Sequence, residues 1–162
     1  MATESADPAV SARLMLATYI VGGVGIAVGL YTLPMTPPSL TLACLLAVGG
    51  TGLLSFVRHS VFHRSDAARM GWDYGRRNNF QIEVGLANLA WGTVAVLAVA
   101  LGWGLLTEAA LFLVFGVYML SVVVMNLASG REEGRRAPGP LIGAASFAVM
   151  LLIVGTWGVT AA

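Results

Sequence analysis

Two histidines and an aspartate follow the second apolar stretch of this chain at helical spacing. His59, His63 and Asp66 lie four and three residues apart, so a helix continuing through them would place all three side chains on one face. Neutral imidazole and carboxylate are good ligands for zinc, iron and copper. The spacing therefore predicts a candidate divalent metal site, to which Glu83 on the next apolar stretch could add an oxygen.

The same residues have two other interpretations, and the pattern leaves all three open. In the structural interpretation the histidines lie at a membrane surface beside Arg58 and Arg64, while Asp66 pairs with Arg69 or Arg64 in a solvated network. In the other, the histidines sense pH or transfer protons, because the unperturbed pKa of imidazole lies near physiological pH.

Glu83 is an acidic residue near the start of an apolar stretch. A carboxylate within a membrane span is costly and by default marks a functional site, so Glu83 is the candidate catalytic residue, as base, ligand or proton carrier. The structural alternative makes Asn78 the cap of this helix, with Gln81 folding back onto it. Glu83 would then lie in the early turns, where the helix dipole favours negative charge, and would pair with Arg76 or Arg77.

Two amides complete the candidate polar cluster, which also includes the arginines at 58, 76 and 77. Gly85, Asn88 and Gly92 fall at i, i+3 and i+7, a spacing that places them on one helix face. We expect that face to pack against another helix, with the Asn88 amide bonding across the contact. Asn126, at the end of the fourth apolar stretch, either joins the cluster or ends its helix.

The elements that must position these side chains are membrane helices. The chain is 57% hydrophobic and only 10% charged, with a mean hydropathy of +0.82, which is outside the range of soluble domains. We predict an all-α bundle, one domain over residues 1–162, held by glycine-rich faces. Its expected spans are 14–33, 40–57, 81–101, 109–127 and 141–159.

The arginines predict how these spans are threaded. Five spans place all nine basic residues, every one an arginine, on the side that holds the polar connection 58–80 and the Gly/Pro-rich loop 129–140. The opposite side carries only Glu108. The positive-inside rule then makes the N-terminus cytoplasmic and the C-terminus external. No basic stripe with interleaved aromatics exists, which argues against nucleic-acid binding.

Part of the chain resembles a known group. His63, Gly71-Trp72, FQIEVG at 80–85, ANL at 87–89 and Gly92 are similar to the shared core of uncharacterised small bacterial inner-membrane proteins. The resemblance covers about a third of the chain, and Asn78-Asn79 stands where that pattern has Ser-Pro. A glutamate opening a Gly-rich span is more distantly similar to DoxX-like proteins. That likeness implies a four-helix membrane bundle with redox or quinone-linked partners, so a fifth span is a departure.

The sequence contains no catalytic motif that we recognise. We therefore expect a small accessory or structural membrane protein, whose polar cluster at the cytoplasmic face supports assembly or a membrane or cytoplasmic partner. The alternative is a membrane-embedded metal-dependent enzyme or a redox or quinone-linked oxidoreductase component. A small transporter subunit is the third interpretation, for which Glu83, Asn88 and Asn126 would supply the polar pathway.

Overall fold

All regular structure in the described part of the chain is helical. The computed structural model describes residues 6–72, 77–133 and 138–162, with the side chains of 129–133 and 138–140 left aside. Its helices are α1 (Ala9–Thr32), α2 (Thr41–Val61), α3 (His63–Met70), α4 (Asn79–Ala100), α5 (Leu105–Glu133) and α6 (Pro138–Ala161). All but α3 are long and apolar enough to cross a membrane. The predicted all-α bundle with five spans is therefore confirmed, and it fits a multi-pass protein in a lipid bilayer.

The ends of the spans differ from the predicted ones where polar residues continue a helix. The second span runs to Val61 rather than 57, so Arg58 and His59 belong to its last turn. The predicted break at 129–140 is also partly helical, because α5 continues through Glu133 and α6 begins at Pro138. Proline is well suited to a first helical turn, where its missing N–H would have no partner. Residues 134–137 lie outside the described ranges.

The second helix is the most buried of the five spans and packs against α1, α4 and α5. Two of its segments, Leu45–Gly50 and Val57–Val61, are π-helical. Such wide turns occur mostly as short bulges inside α-helices and often lie at functional sites. The second of these segments carries Arg58 and His59, so the central helix delivers both side chains to one end of the bundle.

Close backbone contacts hold α2 against its neighbours. A Cβ on Gly25 of α1 would overlap the backbone nitrogen of Ala47, and one on Gly52 would lie 2.8 Å from the carbonyl oxygen of Asn88 on α4. A Cβ on Gly85 would overlap the Ser60 hydroxyl. These approaches, available only to glycine, are how helices gain packing energy in lipid.

The predicted face of α4 is confirmed, since Gly85, Asn88 and Gly92 are all buried and the two glycines lie against α2. The Asn88 amide donates to the Val84 carbonyl of its own helix at 2.8 Å. It also lies beside Tyr118 of α5.

Candidate functional site

The candidate functional site is centred on Asp66, a carboxylate on α3 with only 1% of its surface exposed. Its Oδ1 accepts hydrogen bonds from Ser11 Oγ at 2.5 Å and from Arg69 Nη2 at 3.0 Å. Its Oδ2 accepts from His59 Nδ1 at 2.8 Å and from Gln81 Nε2 at 2.9 Å. The donors come from α1, α2, α3 and α4, so one carboxylate connects four helices. We call these residues together with Arg58 the Asp66 cluster.

A second layer of hydrogen bonds ties the start of α1 to α3. The Ser65 hydroxyl accepts from the Ser11 amide at 3.0 Å and donates to the Asp7 carbonyl at 2.6 Å. Arg69 Nε donates to Ser11 Oγ at 3.1 Å. Ser11 is completely buried, with its amide bonded to Ser65 and its hydroxyl to Asp66.

The backbone around Phe62 brings His59 and Asp66 together. Seven residues along a straight α-helix span about 10.5 Å, yet the side chains of His59 and Asp66 meet at 2.8 Å. The π-helical turn Val57–Val61 ends at Phe62, whose φ of -100° and ψ of 33° are not helical, and α3 then starts in a new direction. Gly71, in the left-handed conformation with φ 72°, ends α3. The continuous helix that the spacing assumed is therefore broken.

The partners of His59 define its protonation. Its Nδ1 faces the Asp66 carboxylate, which only accepts, and its Nε2 lies 2.7 Å from Arg58 Nη2, which only donates. A neutral imidazole with its proton on Nδ1 satisfies both contacts. Both ring nitrogens are then occupied by protein groups.

Asp66 is held in its charged form. Burial favours the neutral acid, but the hydrogen bonds from His59 and Ser11, and the nearby charge of Arg58, outweigh it and lower the pKa of Asp66 well below its usual value. The sequence alternative in which Asp66 pairs with Arg69 is confirmed at 3.0 Å. The network is buried around Asp66, however, rather than solvated.

The other two predicted ligands do not enter the cluster. His63 Nδ1 lies 3.1 Å from the carbonyl of Ser60. Glu83 is exposed and has no hydrogen bond or ion pair with any described residue. Within the described ranges, no three His, Cys, Asp or Glu side chains are placed to hold a metal ion. The divalent metal site stays a prediction.

Gln81 takes the position in the cluster that the sequence suggested for Glu83. Asn78 caps α4 as expected, accepting from the Gln81 amide at 3.2 Å. The Gln81 side chain does not fold back to the cap but donates to Asp66, and only 3% of Gln81 is exposed. Residues two apart on a helix point in different directions. Once Gln81 faces inward, Glu83 faces outward.

The remaining predicted polar residues are dispersed. Arg77 is exposed, and Arg76 lies outside the described residues. Asn126 is partly buried and donates to the Val122 carbonyl of its own helix at 2.8 Å. Arg58, by contrast, belongs to the cluster and lies within electrostatic range of Tyr19 on α1 and Tyr118 on α5.

Ser11 is the member of the cluster that the sequence analysis missed. It lies in the short polar lead before the first span and belongs to no recognisable motif. The sequence offered only a weak signal. Asp7 and Ser11 lie just before the apolar stretch, where the first helix could begin earlier than the span itself. Only its contact with α3 identifies it.

Comparisons with known proteins give a family but no activity. No curated protein and no solved structure matches the chain. A family of unknown function, DUF6790, matches residues 9–160, a range that includes every residue of the Asp66 cluster and all of the five spans except the last residue of the fifth. The chain therefore belongs to the DUF6790 family.

Proposed function

We propose that this protein is a non-catalytic accessory or structural membrane protein, in which the Asp66 cluster fastens one end of the helical bundle. In this role the cluster fixes the start of α1, the end of α2 and the start of α4 around α3. The fastened end is the surface through which the protein supports assembly or a partner.

The observation that carries this proposal is the use of both Asp66 oxygens by donors from four helices. A catalytic base or metal ligand needs a lone pair directed at a substrate or ion. The oxygens of Asp66 and both ring nitrogens of His59 are instead directed at protein groups. Such an arrangement fits a structural role better than a reactive one.

Two other functions are the rival proposals. A metal-dependent enzyme or quinone-linked oxidoreductase component would require His59 to exchange Arg58 for a metal ion. A small transporter subunit would need a polar path along the bundle, and the exposed Glu83 gives that idea little support.

We further propose a bacterial inner membrane with the Asp66 cluster at the cytoplasmic face. The support is the arginine distribution together with five spans. We also retain as a proposal the distant relationship to DoxX-like membrane proteins. Reporter fusions at the two termini test the orientation, and a cytoplasmic C-terminus would overturn it.

Metal analysis of the detergent-purified protein separates the structural role from the enzymatic one. We expect no stoichiometric metal after incubation with zinc, iron or copper, in wild type and in the His59→Ala/His63→Ala double variant alike. Stoichiometric metal in wild type that is lost in the double variant would refute the structural proposal. Glu83→Gln serves as a control, because Glu83 is a predicted ligand that lies outside the cluster and is not changed in the double variant.

A further inference from the structure

The Asp66 cluster contains more positive than negative groups. The guanidinium groups of Arg58 and Arg69 converge on the same oxygen, with Arg58 Nε 3.8 Å and Arg69 Nη2 3.0 Å from Asp66 Oδ1. Asp66 is the only carboxylate that either arginine pairs with among the described residues, and His59 is neutral by its hydrogen bonds. One carboxylate therefore balances two arginines, and an excess positive charge in a low-dielectric setting favours a further anion.

Arg58 also has a buried donor without a partner. Its Nη2 donates to His59, but its Nε, although shielded from solvent, has no hydrogen-bond partner among the described residues. A separation of 3.8 Å from Asp66 is too long for a hydrogen bond. Buried polar atoms are nearly always bonded, so an unpaired one calls for an explanation such as an additional ligand.

Both arginines still reach the surface of the protein. The exposed fractions of the side chains are 14% for Arg58 and 21% for Arg69. A ligand can therefore approach both arginine side chains from outside. Each guanidinium carries five N–H donors, more than the described contacts use.

The location of this pair matches the headgroup zone of a bilayer. Arg58 lies in the last turn of the α2 span. Exposed aromatic side chains lie at the same end of the bundle, on Phe62, Trp72 and Phe80. Aromatic rings are favoured at membrane–water interfaces, where the phosphate groups of lipids also lie.

We propose that Arg58 and Arg69 form a binding site for a phosphate anion, supplied by the headgroup of an anionic phospholipid. Paired guanidinium groups match phosphate oxygens in geometry and charge, and such bidentate contacts are stronger than neutral hydrogen bonds. The phosphate balances the excess charge of the cluster and accepts from guanidinium N–H groups, and a shift of the Arg58 side chain on binding would give its buried Nε a partner as well. This inference goes beyond the structural role, since it assigns the cluster a ligand.

The test is a lipid titration of the purified full-length protein in a neutral detergent, followed by native mass spectrometry and by thermal unfolding. The probes are phosphatidylglycerol, zwitterionic phosphatidylcholine and inorganic phosphate, with sodium chloride matching the ionic strength. We expect phosphatidylglycerol to bind at least about tenfold more tightly than phosphatidylcholine, because the choline cation of the latter offsets the phosphate charge and repels the arginines. If inorganic phosphate saturates the protein at a concentration comparable to that of phosphatidylglycerol, the same site exists but free phosphate is its ligand.

Arg58→Lys and Arg69→Lys test the residues while keeping the charge that Asp66 needs. Each should weaken phosphatidylglycerol binding by about tenfold, because lysine lacks the bidentate fork. Arg64→Lys, the same change at an exposed arginine of α3, is the matched control and should bind as wild type does.

Binding by neither anion in wild type, or unchanged affinity in a folded arginine variant, would overturn the proposal. If one lysine variant does not fold, the other decides the question. The structural role is tested separately, by measuring the stability of an Asp66→Asn variant in the absence of added lipid.

Discussion

Among the described residues, two carboxylates are almost completely buried, and they lie near opposite ends of the central helix. Asp66 lies beyond the end of α2 with 1% of its surface exposed, and Glu108 lies near the start of α2, in the neighbourhood of Cys44, with 3% exposed. Asp66 accepts from four helices. The Glu108 side chain has no hydrogen bond or ion pair within the described ranges. The two carboxylates are therefore similarly buried, but Asp66 is fully hydrogen-bonded and Glu108 is not.

The two ends are therefore held by different forces. Around Glu108 the contacts are apolar and close, as shown by a Cβ on Gly158, which would lie 2.6 Å from Leu40 Cδ1 and 2.8 Å from Ala109 Cβ. Leu40 and Cys44 are completely buried there. The first turn of α5 also favours a negative charge at Glu108 through the helix dipole. Polar bonding fastens one end of the bundle, and packing closes the other.

Asp66→Asn should lower the free energy of unfolding more than any other substitution considered, and it directly tests the contrast between the polar end and the packed end of the bundle. It leaves Arg58 and Arg69 without their carboxylate, and removing one partner of a buried pair costs about 3–5 kcal/mol. We expect the lower end of that range, because both arginines can reach water. Equilibrium unfolding in mixed micelles measures the change in the free energy of unfolding. Glu108→Gln should lower the free energy of unfolding clearly less. An equal loss in the two variants would contradict the difference between the two ends of the bundle.

Acidification should reproduce this loss in wild type. The pKa of Asp66 is lower in the folded than in the unfolded protein, so its contribution to stability is complete above the unfolded value of about 4 and declines as the pH falls below it. The difference in unfolding free energy between wild type and Asp66→Asn should therefore shrink from pH 7 to pH 3. A constant difference over that range would contradict the ionised Asp66.

Ser11→Ala should cost about 1.5–3 kcal/mol, because it removes a hydrogen bond to a buried charged acceptor. The loss should be accompanied by faster proteolysis of the N-terminal turn of α1, which Ser11 ties to α3. Thr18→Ala is a suitable comparison, since the Thr18 hydroxyl bonds only within its own helix. If both variants behaved alike, the fastening of α1 by the cluster would be disproved.

Gly85→Ala tests the packing beside the cluster. An added Cβ would overlap the Ser60 hydroxyl, and such overpacking costs about 1–3 kcal/mol. Gly23→Ala is the matched control, because a Cβ there has no neighbour within 4 Å. The control should be neutral or slightly stabilising in the same unfolding measurement. A neutral Gly85→Ala would show that the α2–α4 contact is looser than described.

Glu83→Gln should have the smallest effect, within about 0.5 kcal/mol, as expected of an exposed side chain away from special contacts. Solute flux into liposomes should also be the same for wild type and this variant. A clear loss of flux would instead revive the transporter proposal. It would also give Glu83 the site role that its outward position argues against.

The sequence predicted the helices better than the contacts between them. Five spans followed from hydropathy, and the buried face of Gly85, Asn88 and Gly92 followed from its helical spacing. The proximity of His59 and Asp66 was also anticipated, although by a continuous helix that does not exist. A π-helical turn and the break at Phe62 achieve it instead. Helical spacing carries no information about such irregular turns.

The choice between Gln81 and Glu83 shows what spacing could not decide. Both lie in the first turns of α4, and the charge made Glu83 the sharper candidate. The rotation of α4 about its own axis places Gln81 against Asp66 and Glu83 outside. That rotation also brings Gly85 into close contact with Ser60 on α2, so it depends on packing between distant parts of the chain.

By itself, the sequence determined that this is an α-helical protein with five spans, because hydropathy and helix length are sums over neighbouring residues. Only the tertiary structure decided that Asp66 is the fully bonded carboxylate, that Ser11 and Gln81 are its partners, and that His63 and Glu83 are not. A hydrogen bond near 3 Å requires four helices to take definite positions and rotations. Those follow from packing across the whole bundle, which no local pattern records.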